Sequence, residues 1–187
     1  MTLLVLGILL WSGAHLFPRA APEAWAGVTA SLGAGPSRGV IAAVIGLGLV
    51  LMVIGYRGSP FTALYDPPAW TIHLNNLMML AAVALLGMGR SKGRARAWLR
   101  HPMLTGVIVW AAAHLLVNGD LASLVLFGGL AIWAVASILL INATAGPWQR
   151  PEPGPPSGDI RLAVIAVVLY LVIAGIHTWL GYWPFPR

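Results

Sequence analysis

Long blocks free of Asp, Glu, Lys and Arg dominate the chain. Six of them, Met1–Pro18, Gly39–Tyr56, Pro67–Gly89, Pro102–Gly119, Leu121–Gln149 and Leu162–Pro186, are rich in Leu, Val, Ile, Ala and Gly, with Trp near several ends. A bilayer core about 30 Å thick takes about 20 apolar residues per helix, so each block predicts one span. The expected fold is all-α: a polytopic membrane protein with six transmembrane helices in a single domain over residues 1–187. Between the blocks, Arg90–Arg100 is short and basic, and Pro102 suits the first turn of the fourth helix. At Asn118-Gly119-Asp120, Gly can end one helix and Asp120 can cap the next, which predicts a hairpin of the fourth and fifth helices. Residues 142–159 hold five prolines and three glycines, too many to continue a helix, and read as a cytoplasmic linker.

Composition makes the membrane assignment firm. The chain has 187 residues, 59% hydrophobic and only 9% charged, against about 25% charged in an ordinary globular domain. The first block has no basic region ahead of it, and Arg19 follows the apolar run, so it reads as a retained helix and not a secretory signal. Drawing six spans places Arg19, Arg38, Arg90, Lys92, Arg94, Arg96, Arg100, Arg150 and Arg161 on one side, and only Arg57 and Arg187 on the other. Lys and Arg concentrate on the cytoplasmic side, so both termini are expected to be non-cytoplasmic. The formal charge of +6 is then a topology signal with a secondary attraction of the basic loop for anionic lipid head groups. No base-reading motif accompanies it, and nucleic acid is not an expected partner.

The absence of cysteine excludes disulfides, iron–sulfur clusters, thiolate metal sites and covalently attached c-type haem. Histidine is left as the strong ligand. The most informative internal match sets Gly7 through Trp11, Ala14, His15 and Leu16 against Gly106 through Trp110, Ala113, His114 and Leu115 without a gap. Three predicted helices separate the copies, an arrangement that suits two inverted three-helix halves. Trp11 and His15, like Trp110 and His114, are four apart and share a helix face. Ionisable groups inside a span are costly and mark functional positions; the plainer reading is that each imidazole bonds a neighbouring helix.

The remaining polar residues are weaker candidates. His73, with Asn76 three residues on, approaches the non-cytoplasmic end, where it could join His114 and Asp120 in a polar cluster. His177 sits among Trp179, Tyr182 and Trp183 and reads as part of an interfacial aromatic belt. In Arg100-His101-Pro102, His101 is placed to cap the fourth helix and Arg100 to reach phosphate head groups. Asp66 and Asp120 have no acidic partner nearby in sequence for paired-carboxylate chemistry, and Ser and Thr have no triad context. Two intramembrane imidazoles, aromatic walls and cationic anchors suit non-covalent haem. Zinc is less suited, because it takes three or four ligands, often with carboxylate or thiolate.

The run Arg100-His101-Pro102-Met103-Leu104-Thr105-Gly106, Trp110, Ala113-His114-Leu115-Leu116 and Asn118-Gly119-Asp120-Leu121-Ala122-Ser123, with Leu9-Leu10-Trp11-Ser12-Gly13-Ala14-His15 at the start, resembles the NnrU family. The resemblance implies a bacterial inner-membrane protein of denitrification and nitric-oxide metabolism, with nitric oxide or an apolar small molecule as partner. The same family includes the plant 15-cis-zeta-carotene isomerase, a haem b enzyme whose two axial histidines fall on His15 and His114. Its alternative cysteine ligand falls on Ala111, so the isomerase's ligand exchange has no counterpart here. At 1.5 Å per residue, His15 is about 6 Å inward from Arg19 and His114 about 21 Å inward from Arg100. On depth alone His73 is the better companion for His114.

The expectation is therefore a haem b protein with a redox or sensing role, His114 as first axial ligand, His15 or His73 opposite, and Trp11, Trp110, Arg100 and His101 around the group. The rival readings are a haem-dependent cis–trans isomerase of a carotenoid-like polyene and, from the resemblance of Arg-His-Pro with a later Gly to membrane isoprenylcysteine and phospholipid methyltransferases, a methyltransferase-like protein. Against the last, only Glu152 and Asp159 follow Asp120, so the acidic C-terminal cofactor motif is missing. A ligand-free scaffold is the fourth.

Overall fold

The computed structural model describes Met1–Phe185; Arg187, counted above on the sparsely charged side, and Pro186 lie outside the described residues. Seven α-helices form: α1 (Thr2–Ala20), α2 (Pro22–Leu32), α3 (Ala34–Arg57), α4 (Thr71–Met88), α5 (Pro102–Leu115), α6 (Leu121–Thr144) and α7 (Pro156–Trp179). Among the described residues there is no strand beyond one isolated bridge between Ala63 and Asp120. Five helices, α1, α3, α4, α6 and α7, are long and apolar enough to cross a membrane, whereas α5 has 14 residues. Each of the six blocks forms most of one helix, and α1, α3 and α7 run past their block edges to take in Arg19, Arg38 and Arg57, and Asp159 and Arg161.

Three boundaries differ from expectation. Residues between Arg19 and Arg38, read as a loop, contain α2, which opens on Pro22 at its first turn and buries none of its residues. The fourth-block helix stops at Leu115 and does not run on to Gly119. The His114 carbonyl there accepts from Asn118 N–H at 2.9 Å and also from Asn118 Nδ2–H at 2.8 Å, which closes that end of the helix. The linker is shorter than 142–159: α6 continues to Thr144, and α7 starts at Pro156, a residue suited to a first turn because its missing N–H has no helical partner.

The chain packs as two compact units, the first comprising Met1–Tyr65 and Asp120–Ala145, the second Asp66–Gly119 and Gly146–Arg187. These are not the two sequence halves. The two helices of the expected α5–α6 hairpin fall in different units: α5 packs on α4 in the second, and α6 packs on α1 and α3 in the first. Pairing follows from which surfaces fit closely, and sequence adjacency does not decide it.

In the first unit, α1 and α3 run antiparallel in near backbone contact. A Cβ on Gly7 would lie 2.6 Å from Met52 N and 2.7 Å from the Gly48 carbonyl oxygen, and one on Gly48 would lie 2.9 Å from Trp11 N. Gly55 meets Leu4 and Leu3 in the same way. On its other side α1 meets α6, where a Cβ on Gly129 would lie 3.1 Å from Ile8 Cγ2. Because Ile8 adjoins Gly129 while Trp11 and His15 adjoin Trp133, α1 and α6 run parallel. Without a hydrophobic force between helices in lipid, such close fits select neighbours.

In the second unit, α5 packs antiparallel on α4. Thr71 Oγ1–H reaches the Leu116 carbonyl at 2.7 Å, and a Cβ on Gly106 would lie 3.1 Å from the Ala82 carbonyl oxygen. The start of α7 meets the end of α4, with Leu162 against Gly87. The basic loop is docked on the first turn of α7: Asp159 Oδ1 accepts from Ala95 N–H at 3.0 Å, and Gly154 N–H donates to the Gly93 carbonyl at 3.1 Å. Asp159 is thus a helix residue that holds the loop.

Candidate functional site

Each unit carries one copy of the Gly-x3-Trp-x3-His row. In both, the glycine lies in close contact with the neighbouring helix, α3 at Gly7 and α4 at Gly106, and Trp and His follow on the same face at successive turns. The repeat therefore has one packing meaning in two places.

The imidazoles are held by one device. Nδ1–H of His15 donates to the Trp11 carbonyl at 2.8 Å, Nδ1–H of His114 to the Trp110 carbonyl at 2.9 Å, and Nδ1–H of His177 to the Ile173 carbonyl at 2.8 Å. A carbonyl can only accept, so Nδ1 carries the proton in each neutral ring and Nε2 is the basic nitrogen. That second-sphere bond is also what orients a histidine for iron or zinc.

Around His15 the first unit builds an aromatic cluster. The Trp11 ring lies 4.5 Å from the imidazole, the Trp133 ring 5.0 Å from it edge-on, and the two indoles are 5.6 Å apart. Trp133 is only 8% exposed. The Nε1–H groups of Trp11 and Trp133 are both buried with no hydrogen-bond partner, although an orphaned buried donor costs about 1–3 kcal/mol. Trp133 was missed from the sequence; its one distinguishing signal is a position deep inside a charge-free block, away from the interfacial belt where Trp is ordinary.

Around His114 the second unit is plainer. The Trp110 ring lies 5.1 Å away, tilted, and Ala111 is fully buried. His73 lies at the level of His114, since Thr71 meets Leu116 one step outward. Its side chain, however, belongs to another face: Thr71, Asn75 and Ala82 form the buried stripe of α4, and His73 is exposed about half a turn away. The orphaned buried atom here is an acceptor, Asn75 Oδ1, while Asn75 Nδ2–H donates to Asn76 Oδ1 at 3.0 Å.

Other predicted residues take structural places. His101 occupies the position before α5, but its side chain makes no cap; its carbonyl accepts from Thr105 Oγ1–H at 2.9 Å. Arg100 Nη2–H donates to the Gly146 carbonyl at 2.6 Å. Asp120 does cap α6, with Oδ1 accepting from Ser123 N–H at 3.0 Å. It also ends a chain that sequence spacing did not reveal: Tyr56 O–H donates to Ser123 Oγ at 2.9 Å, and Ser123 Oγ–H donates to Asp120 Oδ2 at 2.5 Å. Asp120 therefore belongs with Tyr56 and Ser123. Partial burial, and secondly the Asp120 carboxylate, hold the Tyr65 hydroxyl above the ordinary tyrosine range. Among the described residues no three His, Cys, Asp or Glu side chains group as a metal site.

These features define a helical protein built for a bilayer, with oriented imidazoles inside its apolar helices. The NnrU protein family matches residues 3–184, nearly the whole chain, and the chain belongs to that family. No curated protein and no solved structure matches it.

Proposed function

We propose that this chain is a six-span inner-membrane haem b protein of denitrification or nitric-oxide metabolism, with His114 as first axial ligand and His15 or His73 as the second. The observation that carries the reading is the repeated row itself: an imidazole whose Nδ1–H is committed to its own helix, so that Nε2 is the donor atom, beside a flat indole. One imidazole nitrogen and an apolar aromatic wall are what a haem iron and macrocycle require. Bound haem supplies a one-electron couple and a coordination position for a diatomic gas. The protein's part is to fix the tautomer, exclude water and set ligand strength through the carbonyls of Trp11 and Trp110. Both second ligands stay in the reading: His15 sits in the aromatic cluster of the first unit, and His73 lies on an exposed face of α4 in the same unit as His114.

Six spans are supported by helix direction. With α2 too short to cross, parallel α1 and α6 call for an even number of crossings between α3 and α6, which suits α4 and α5 as a pair of spans. At about 1.5 Å per residue α5 is about 21 Å long and needs Leu116–Gly119 to complete its crossing. The concentration of Lys and Arg in the loop docked by Asp159 supports non-cytoplasmic termini and anionic lipid at that loop.

The test is a reduced-minus-oxidised spectrum of the protein purified in detergent after haem supplementation. A Soret and α band that His114→Ala abolishes is the expected result. A colourless wild type, or an unaltered spectrum in His114→Ala, rejects the reading. The isomerase reading lacks its thiol, because buried Ala111 stands where the alternative ligand would be; no geometric change in tri-cis-zeta-carotene on co-expression would close it.

A further inference from the structure

Haem b carries oxygen only in its two propionate carboxylates, so any hydrogen bond from the protein to the porphyrin periphery ends there. In the first unit two indole N–H groups, on Trp11 and Trp133, are buried and unpartnered within one cluster that also contains the His15 imidazole. Nothing in the packing of α1 against α6 explains two donors left unsatisfied at about 1–3 kcal/mol apiece. On α1 the row continues Trp11, His15, Arg19, each four residues on, so a cation follows the imidazole on the same face by one turn, about 6 Å. The aromatic wall and the two neutral donors form an acceptor site suited to a carboxylate beside a ligated imidazole, with Arg19 two turns, about 12 Å, along α1 from Trp11.

We infer that Trp11 and Trp133 donate their Nε1–H groups to the propionate carboxylates of the haem that His15 ligates, making Trp133 a binding residue of the site. The inference rests on the haem reading above and adds which end of the porphyrin this cluster receives. Water alone at the two donors would satisfy them equally, but it would confer no preference for a porphyrin with carboxylates.

That preference is the test. Ferric protohaem and iron etioporphyrin, whose side chains are all alkyl, are titrated separately into detergent-solubilised wild type and the double variant Trp11→Phe/Trp133→Phe, following the Soret band. Phenylalanine keeps an aromatic wall and removes only the donors. Partition of each porphyrin into micelles is common to both proteins and cancels in the comparison. Wild type should favour protohaem, and the double variant should lose about tenfold or more of that preference, the scale of a hydrogen bond to a charged group, with etioporphyrin affinity unchanged. An equal preference in both proteins, or a loss of both porphyrins to the same extent, overturns the inference while leaving haem binding by the wild type intact. Failure of the wild type to take up either porphyrin overturns the haem reading itself.

Discussion

Replacing Gly7 by Ala places a methyl carbon 2.6 Å from Met52 N, 2.7 Å from the Gly48 carbonyl oxygen and 2.8 Å from Met52 Cγ. Two of these neighbours are backbone atoms of α3, which cannot rotate aside, so the helices must part by roughly 0.8 Å to reach the 3.4 Å at which ordinary contact begins. Overpacking of this kind costs about 1–3 kcal/mol, and the rigid neighbours put Gly7→Ala in the upper half of that range. Gly55→Ala, which drives a methyl into the Leu4 backbone at the other end of the same contact, should cost as much. The double variant should cost less than the sum, because one separation relieves both clashes. Gly13→Ala on the same helix is the control: nothing lies within 4 Å of its Cβ, and removing a mid-helix glycine should gain about 0.5–1 kcal/mol. Reversible unfolding in mixed micelles measures all four. If Gly7→Ala and Gly13→Ala agree within about 0.5 kcal/mol, the tight α1–α3 contact is not what holds the first unit.

Three further outcomes follow from hydrogen bonds outside the imidazole rows. Asp120→Ala removes the α6 cap and takes from the fully buried Ser123 hydroxyl the carboxylate to which it donates, so the same assay should register a loss of about 1.5–3 kcal/mol; a loss below about 0.5 kcal/mol contradicts the network. Tyr56→Phe removes only the donor at its far end, and a smaller loss of about 0.5–1.5 kcal/mol is expected, so a ranking with Tyr56→Phe above Asp120→Ala refutes the order of the chain. Asp159→Ala frees the loop that its carboxylate holds at Ala95 N–H. Trypsin should then cut at Arg94 or Arg96 faster than in wild type, and an unchanged rate would show that the glycine contacts alone dock the loop.

Much of this was legible from residue order. Every charge-free block forms most of a helix, Asp120 caps α6 as its position implied, and the two matched rows each set their glycine against a neighbouring helix. Those features depend on neighbours within a turn or two. Harder to see were α2, whose short polar-flanked segment has no long apolar block to announce it, and the Tyr56–Ser123–Asp120 chain, which joins residues 67 apart. His73 shows the two sources side by side: arithmetic along the helices put it level with His114, while its exposed position off the buried stripe of α4 is visible only in the packing.

The order of residues by itself determined that this chain is helical and bilayer-suited, because in hydrocarbon every backbone group must be satisfied within its own segment and an apolar block has little choice but helix. It also determined where the imidazoles and their indole neighbours sit along each helix. Only the tertiary structure decided that α6 joins α1 and α3, leaving α5 to α4, and that Trp133 closes on His15. Lipid is as apolar as the helix surfaces, so burial does not choose partners there; the choice falls to fits of a few tenths of an ångström at Gly7, Gly48, Gly55 and Gly129. Fits of that kind join residues far apart in the chain and leave no trace in its hydrophobic pattern.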